Sequence, residues 1–270
     1  MAGLILPRRF TSQPQGAVEI DWGNPLTRGL KVVHNFRGLS FRLNQVTNGR
    51  FSLVGSGFGG GSEGLEFLAN ASYITTPLNT TDFTNSATII GVLKNKNSTP
   101  TEGQTGFPWN VNSNSLGTHY PHTNNTIYYS SFRGASRFYF LPSVSIPYTE
   151  KHVLAETVNG STPSSSVYVN GNLVNMYGGA FTFSPVTPMR IGYNDQATPY
   201  VGTIYAIFVW NRELSANEIA NFSRNPWQIF RAPKRTLYFD VSTPGIPTLS
   251  LPGVDQITTT GARPYVSLGF

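Results

Sequence analysis

Short runs of apolar, β-branched and aromatic residues, separated by Gly, Pro and Asn turn signals, fill the chain from about Leu30 onward. The clearest pair is SVYVNGNLVNM, residues 166–176, where two β-branched runs flank Asn170-Gly171. Asn-Gly suits the positive φ angles of a type I′ turn, so this stretch predicts a β-hairpin. Roughly ten such strand candidates follow one another without an intervening helix. This spacing predicts an all-β, antiparallel β-sandwich or jelly roll and not alternating strands and helices.

One stretch departs from the strand pattern: ELSANEIANFSRNPWQIF, residues 213–230. Ser215 and Glu218 have the spacing of a capping box, in which each side chain bonds to the other residue's backbone N–H. Pro226 cannot continue a helix. We therefore predict a single short helix at 215–224, packed over an edge of the sandwich.

The composition limits the functions open to the chain. Charged residues make up 12% of the 270 residues, about half the usual fraction, and the net charge of +6 is concentrated towards the two ends. There is no cysteine, which excludes disulfides and Cys-ligated metals. A nucleic-acid-binding protein usually carries a basic stripe across its body, and a membrane span needs about 20 apolar residues. We expect neither nucleic acid nor membrane as a partner, and the profile is typical of secreted or virion β proteins.

The distribution of proline and charge divides the chain into three parts. Residues 1–29 form a Pro-broken N-terminal arm, residues 30–226 a folded body, and residues 227–270 a C-terminal arm. Extended segments with apolar and basic residues often add to a neighbour's sheet edge. We predict that the arms anchor the protein to an acidic partner or to another copy of this chain. The residues predicted to anchor are Arg8, Arg9, Phe10, Phe230, Arg231, Lys234 and Arg235.

Three segments in the second half resemble a known family: VYVNG, then MRIGYN, then GTIYAIFVWNRELSANEIANF. Together they look like the laminin-G-like, or concanavalin A-like, jelly-roll superfamily. The resemblance implies a concanavalin A-like jelly roll with one short C-terminal helix.

The terminal sequences resemble a subset of this superfamily found on tailed-bacteriophage virion proteins. They are LILPRRFTSQPQGAVEIDWGNPLTRGL, NPWQIFRAPKRTLYF and ARPYVSLGF. This resemblance implies a phage virion structural protein, either a capsid decoration or a tail- or fibre-associated protein. It would be made in the host cytoplasm without a signal peptide, and would contact capsid or tail proteins and other copies of itself. The alternative function is a carbohydrate-binding module that acts in host-cell adsorption.

The catalytic E-x-D-x-E pattern of the superfamily's glucanases does not occur in this chain. Glu19 and Asp21 have i, i+2 spacing, but they lie in the N-terminal arm and no third acid follows. The Gly-rich loop at 55–64 matches the dinucleotide-binding pattern, but a strand-like sequence follows where that pattern requires a helix. We therefore expect no enzyme activity and assign no catalytic residue.

The candidates for ligand contact lie in a polar stretch, residues 97–126, that we predict to be a rim loop. Aromatic and imidazole rings beside Asn and Thr could bind a surface glycan, and the alternative is that Trp109 belongs to the core. The predicted glycan-binding residues are Trp109, His119, Tyr120 and His122. Asn194 and Asp195 follow the R-I-G segment and could contribute oxygens to Ca²⁺. Because the body is poor in acids, we otherwise expect no cofactor.

Overall fold

A computed structural model gives the fold of this protein. It describes residues 10–37, 46–47, 49–60, 63–68, 72–78, 82–83, 86–96, 106–111, 116–122, 128–133, 136–140, 149–160, 164–178, 188–192, 200–233, 239–240, 248–249 and 257–258. In these ranges the chain is mainly antiparallel β-strand, with one α-helix near the end of the body. The predicted all-β fold with a single short helix is confirmed.

The strands are short and are joined by turns and loops. In chain order they are β1 (Glu19–Ile20), β2 (Leu30–Asn35), β3 (Ser52–Val54), β4 (Phe58–Gly60), β5 (Leu65–Phe67), β6 (Tyr73–Thr75), β7 (Ser86–Asn95), β8 (Gly106–Val111), β9 (Leu116–His122), β10 (Tyr128–Arg133), β11 (Ser136–Phe140), β12 (His152–Asn159), β13 (Ser164–Val169), β14 (Asn172–Gly178), β15 (Arg190–Ile191), β16 (Gly202–Trp210), β17 (Phe230–Arg231), β18 (Phe239–Asp240), β19 (Thr248–Leu249) and β20 (Ile257–Thr258).

Two large sheets form the sandwich. The seven-stranded sheet, called sheet I, has the order β11-β10-β9-β8-β15-β6-β3. The eight-stranded sheet, called sheet II, has the order β14-β13-β12-β7-β16-β5-β4, with β2 paired to the second half of β16. Two small sheets complete the described strands, one of β1 with β17 and one of β18 to β20.

The long central strands of sheet II are buried on both faces. In β7, Ile89 and Leu93 point into the core between the two sheets, whereas Ile90 and Val92 belong to a second cluster on the opposite face. A strand that is buried on both faces has no solvent-facing side, so its sequence does not alternate between apolar and polar residues. This explains the nearly continuous apolar run of SATIIGVLKN. We call the first cluster the inter-sheet core; it includes Phe67, Ile74, Trp109, Leu154, Ile191 and Ile207. We call the second the outer core; it includes Val33, Phe208, Trp210, Ile219, Phe222, Trp227 and Phe230.

The predicted helix begins and ends close to where its sequence signals indicated. Helix α1 spans Ala216–Arg224 with Ser215 as its N-cap. The capping box is formed in both directions: the Glu218 N–H donates to Ser215 Oγ at 3.3 Å, and the Ser215 N–H donates to Glu218 Oε2 at 2.9 Å. Pro226 then opens a 3-10 helix, Pro226–Ile229, so the α-helix does not continue past it.

Arg212 reinforces the start of α1. Its guanidinium donates to both carboxylate oxygens of Glu218, at 3.0 and 2.7 Å. Hydrogen bonding from Arg212 lowers the pKa of Glu218, because it stabilises the charged carboxylate. The carboxylate therefore stays ionised at the helix N-terminus, where negative charge is favourable.

The apolar side of α1 covers the outer face of sheet II. Ile219 and Phe222 are fully buried. The Phe222 ring meets Phe208 and Trp210 edge-on, with ring centroids 4.9 and 5.2 Å apart. The helix therefore contributes Ile219 and Phe222 to the outer core.

The Asn170-Gly171 hairpin is confirmed between β13 and β14. Both residues have positive φ, 49° and 83°, as a type I′ turn requires. Gly171 also lies against α1, since a Cβ there would sit 2.8 Å from the Ala220 Cα. The turn glycine thus provides both the turn conformation and room for the helix.

The terminal segments nearest the body differ from the predicted division at residues 30 and 226. β1 pairs with β17, and the Asp21 N–H donates to the Ile229 carbonyl at 2.7 Å. Phe230 is fully buried in the outer core, and Arg231 pairs with Glu19 at 3.1 Å. Because sheet II exposes an apolar outer face, these segments pack on that face and do not extend away from it.

Of the remaining predicted anchor residues, Phe10 lies in the described part of the chain and the other four do not. Phe10 packs against the outer core, and its carbonyl accepts a hydrogen bond from Asn225 Nδ2 at 3.0 Å. Phe10, Phe230 and Arg231 thus contact the protein's own body. Arg8, Arg9, Lys234 and Arg235 lie outside the described residues.

Replacing Phe222 by alanine should lower the free energy of unfolding by about 3–5 kcal/mol, because it removes a buried ring that contacts two other aromatic side chains. Urea unfolding followed by fluorescence measures the change. The matched control is Arg224→Ala, at an exposed position in the last turn of the same helix, which should change stability by less than about 0.5 kcal/mol. Equal effects of the two substitutions would show that the helix is not packed on the sheet.

His152 should make stability depend on pH. Burial lowers its pKa from 6.5 to about 4, with the ring 2.9 Å from the Glu150 carbonyl. Since the unfolded chain takes up the proton first, this contribution is complete above pH 6.5 and is lost as pH falls towards 4.

The comparison is with His152→Asn, which cannot be protonated in this range. Between pH 7 and 4.5 the wild-type protein should lose about 2–3 kcal/mol more unfolding free energy than the variant. Urea unfolding at a series of pH values measures both curves. Parallel curves would contradict the buried neutral histidine.

Candidate functional site

The strand register of sheet I separates its two faces. Trp109, Ile191 and Ile74 lie opposite one another on β8, β15 and β6, and all three are fully buried in the inter-sheet core. Side chains alternate along each strand, so the residues next to them lie on the face turned away from the core. Asn110 is opposite Arg190, and Arg190 is opposite Thr75.

The same register continues across the whole sheet. On one side Thr75 is opposite Ser52 of β3. On the other side the backbone pairs run from Asn110 to Gly117, from Gly117 to Phe132, and from Phe132 to Arg137. We call this set the outer row: Ser52, Thr75, Arg190, Asn110, Gly117, Phe132 and Arg137. With neighbouring strands about 4.8 Å apart, the outer row is roughly 29 Å long.

Arg190 lies near the middle of the described side chains on this face. Its guanidinium carbon is 5.0 Å from the centre of the Tyr73 ring, a cation–π distance. Tyr73 is two residues from Thr75 on β6 and so lies on the same face. Arg190, Tyr73 and Thr75 are half-buried, and Ser52 is exposed. The face therefore offers a guanidinium, hydroxyls and an aromatic ring side by side, whereas Asn110 in the next strand is buried.

The turn after β15 fixes the position of Arg190. Gly192 has a φ of 89°, its N–H donates to the Pro108 carbonyl at 3.1 Å, and its carbonyl accepts from the Tyr200 N–H at 2.8 Å. A Cβ at Gly192 would clash with the Phe67 ring. The glycine of the R-I-G segment is therefore required both by the backbone and by the close approach of Phe67.

The structure places Trp109 in the core directly beneath this face. Its ring has no exposed area, and its Nε1–H donates to Glu156 Oε2 at 3.3 Å. Gly91 makes room for the ring, since a Cβ there would lie 2.7 Å from it. Stacking on a sugar needs an exposed ring face, so Trp109 supports the sheet and is not placed to hold a glycan.

The other predicted glycan-binding residues lie on a strand and not in a rim loop. His119, Tyr120 and His122 belong to β9, within sheet I. In the backbone register His119 is opposite Ser130, Tyr120 is opposite Gly106, and His122 is opposite Tyr128.

The residues considered for a metal or for catalysis are only partly within the described ranges. Asn194 and Asp195 lie outside the described residues. Across the ranges given above, no group of three or more His, Cys, Asp or Glu side chains could hold a metal. Glu19 bonds to Arg231, and the Asp21 carboxylate accepts from the Gly23 N–H at 3.2 Å. Of the helices described, none is long and apolar enough to cross a membrane.

Sequence reasoning missed the outer row itself. Arg190 occurs in the R-I-G segment that suggested the family, but no local pattern assigns it a role. Its neighbours Asn110, Thr75 and Ser52 are distant in sequence and meet only through strand pairing. The one available signal was the alternation of Tyr73 and Thr75 with buried Ile74.

This arrangement, a sandwich of two antiparallel sheets with a polar and aromatic outer face, defines a lectin-like jelly roll. The chain belongs to the concanavalin A-like lectin/glucanases superfamily, whose laminin-G-type family model matches residues 68–220, more than half of the chain. The predicted family and fold are thereby confirmed. A search of curated proteins finds no match.

Solved structures of similar fold come from several glycan-related proteins. Domain 4 of AbnA, an extracellular arabinanase from Geobacillus stearothermophilus solved with arabinotriose, matches with a TM-score of 0.55 at 16% identity, over 72% of this chain and 98% of that one. Trypanosoma rangeli sialidase with sialic acid matches with a TM-score of 0.57 at 15% identity, over 73% of this chain and 33% of that one. A structure of botulinum neurotoxin type C, described with two ganglioside molecules, matches with a TM-score of 0.60 at 11% identity, over 83% and 60%. At these identities the similarity establishes the fold alone.

Proposed function

We propose that this protein is a carbohydrate-binding jelly roll whose binding face is the outer face of sheet I. The observation that carries the proposal is the outer row, where the hydroxyls of Ser52 and Thr75 and the guanidinium of Arg190 lie in register beside Tyr73. Sugars present hydroxyls for hydrogen bonding and apolar ring faces for aromatic contact, and these groups match both. Underneath, fully buried Trp109, Ile191 and Ile74 hold the strands in place.

The comparisons support a ligand of this class. The arabinanase domain was solved with arabinotriose and the sialidase with sialic acid. Domains of this fold therefore occur in proteins solved with saccharides, which agrees with the chemistry of the outer row.

We propose binding without hydrolysis. Glycosidases generally use two carboxyl groups that flank the scissile bond. The seven strands of sheet I contain no Asp or Glu. A ligand on the outer row would therefore meet no strand carboxylate able to act as acid or nucleophile. We propose no cofactor for binding at this face.

A second candidate function concerns where the domain acts. The terminal sequences resemble those of tailed-phage virion proteins, and we propose that the jelly roll is carried on a virion as a capsid, tail or fibre component. Residues 1–9 and 234–270, most of which lie outside the described ranges, include Arg8, Arg9, Lys234 and Arg235. These basic residues would attach the protein to capsid or tail proteins or to other copies of itself. This role is compatible with glycan binding during host adsorption.

Thr75→Val tests the binding face, because it removes one hydroxyl from the outer row while keeping the side chain's shape. With the full chain and a saccharide found on a glycan array, the dissociation constant should rise about 2–10-fold. Isothermal titration calorimetry measures it. The matched control is Thr203→Val, a half-buried threonine on β16 in sheet II, which should leave affinity unchanged. Equal losses in both variants, or no bound saccharide on the array, would refute the proposed face.

Deleting residues 1–9 and 234–270 tests the virion role. The remaining segment, 10–233, retains β1, β17 and the outer core, so we expect it to fold with a near-native thermal midpoint. It should no longer be incorporated into particles, whereas the full chain should be. Quantitative blotting of purified particles measures occupancy. Normal occupancy of the shortened protein would refute attachment through these segments.

A further inference from the structure

Residues 10–14 pack on the outer-core side of the body, and we call this segment the strap. Phe10 packs against the outer core, and its carbonyl accepts a hydrogen bond from Asn225 Nδ2 at 3.0 Å. The buried Pro14 offers its carbonyl to Asn35 Nδ2 at 3.4 Å. No residue of the strap belongs to a β-strand or a helix. The strap is therefore held by side chains of the body and not by strand pairing.

The side chain of Gln13 is buried, and both of its polar atoms have partners in the body. Its Nε2 donates to Asn35 Oδ1 at 2.9 Å and to the Tyr205 carbonyl at 3.3 Å. Its Oε1 accepts from Lys151 Nζ at 3.5 Å. Tyr205 is the bulge position at which β16 changes its neighbour from β5 to β2. Gln13 thus completes the hydrogen bonding at a buried irregularity, where polar groups without partners are costly.

Lys151 connects the strap to two aromatic rings of the outer core. Its ammonium lies 4.2 Å from the centre of the Tyr205 ring and 5.5 Å from that of the Trp227 ring, and both are cation–π distances. These contacts help to hold the ammonium where it meets Gln13. The residues that bond directly to the strap, which we call the strap site, are Asn35, Lys151, Tyr205 and Asn225.

The connection between the strap and β1 is short and exposed. It consists of residues 15–17, all three of which are exposed. A Cβ built at Gly16 would meet no other atom within 4 Å. Glycine also adopts a wide range of backbone conformations at little cost. The connection can therefore change direction at Gly16 without a steric clash.

We propose that the strap exchanges between two copies of this chain, so that each strap occupies the strap site of the other copy. Undocking alone would take two hydrogen bonds from the buried amide of Asn35 and would uncover part of the outer core. The strap of a second copy restores the same contacts, because the two sequences are identical. The closed monomer and the exchanged dimer then differ mainly in the connection at 15–17, which makes exchange a low-cost route to a dimer.

This proposal is independent of glycan binding, since exchange requires only two copies of the chain. It also goes beyond the proposed attachment through residues 1–9 and 234–270, because the strap and the strap site both lie within the described body. Because two molecules combine, the exchanged form is favoured wherever the local concentration of the chain is high.

The oligomeric state of the full chain provides the first test. Light scattering after size-exclusion chromatography, over an about 100-fold range of concentration, should show a dimer whose fraction rises with concentration. Deleting Gln15 and Gly16 removes about 7 Å of reach. The strap then no longer reaches its own site without strain, so the dissociation constant of the dimer should fall about 10-fold or more.

The matched control inserts Gly-Ser after Gly16, which lengthens the connection and should favour the monomer. Equal dissociation constants for the shortened and lengthened proteins would place the dimer contact elsewhere and would overturn the proposal. A wild-type chain that stays monomeric throughout the concentration range would also overturn it, whatever the shortened protein does.

Mixing two variants tests the exchange itself. A Gln13→Ala homodimer has a defective strap at both sites, and an Asn35→Ala homodimer has a defective site at both. The exchanged heterodimer has one unaltered contact and one contact that carries both changes. Because the two side chains bond directly at 2.9 Å, the double change costs less than the sum of the single changes. Native mass spectrometry should therefore show the heterodimer about 2–10-fold above random association.

The control mixture pairs Gln13→Ala with Asn172→Ala, which makes the same Asn-to-Ala change at an exposed position on β14. This mixture should associate at random, because Asn172 is not part of the strap site. Random association of Gln13→Ala with Asn35→Ala as well would mean that the dimer forms through another surface, and would overturn the exchange. Thermal melting confirms that each variant is folded. None of these outcomes bears on glycan binding, which the glycan array and Thr75→Val test separately.

Discussion

The burial of β16 on both of its faces is the constraint on which the rest of this fold depends. Ile204, Ile207 and Val209 face the inter-sheet core, while Phe208 and Trp210 face the outer core. The strand pairs with β7 along one edge and with β5 and then β2 along the other. A β-bulge near Tyr205 shifts the alternation, so that Tyr205 and Ala206 both belong to the outer core. Both faces of such a strand must therefore be packed against other apolar side chains.

Sheet I covers one side, and described segments from the first 30 residues and from residues 214–231 cover the other. Helix α1, the 3-10 helix that follows it, and the pair β1–β17 together enclose Phe208 and Trp210. This explains why a β protein carries one short α-helix soon after the long apolar strand β16. The Trp210 Nε1–H donates to the Leu26 carbonyl at 2.7 Å, so the N-terminal segment also satisfies the buried polar atom of that strand. The terminal segments are therefore part of the folded unit.

The sequence predicted those features that are encoded by neighbouring residues. The Asn170-Gly171 turn and the Ser215–Glu218 capping box follow from local conformational preference, and both formed at the residues expected. The cover of sheet II by the terminal segments depends on contacts between distant residues, such as Glu19 with Arg231, which no local pattern indicates. The apolar groups of these segments suggested a surface to be covered, but not that the surface belonged to the same chain.

The candidate site was less predictable for the same reason. Polar residues in 97–126 suggested a rim loop, but strand pairing placed Trp109 in the core and β9 inside sheet I. The outer row joins residues as distant as Ser52 and Arg190, and only the register reveals that they share a face.

The two sheets differ in how many of their faces are buried. In sheet II, β7 and β16 are buried on both faces, so side chains on these strands contribute to the core and are constrained by packing. In sheet I, β6 and β15 bury one face against that core and direct Tyr73, Thr75 and Arg190 away from it. Substitutions on the outward face would change contacts with the proposed ligand without opening a cavity, because the row beneath it already fills the core. Under the proposed function, ligand preference could therefore change through sheet I while the packing of sheet II keeps the fold stable.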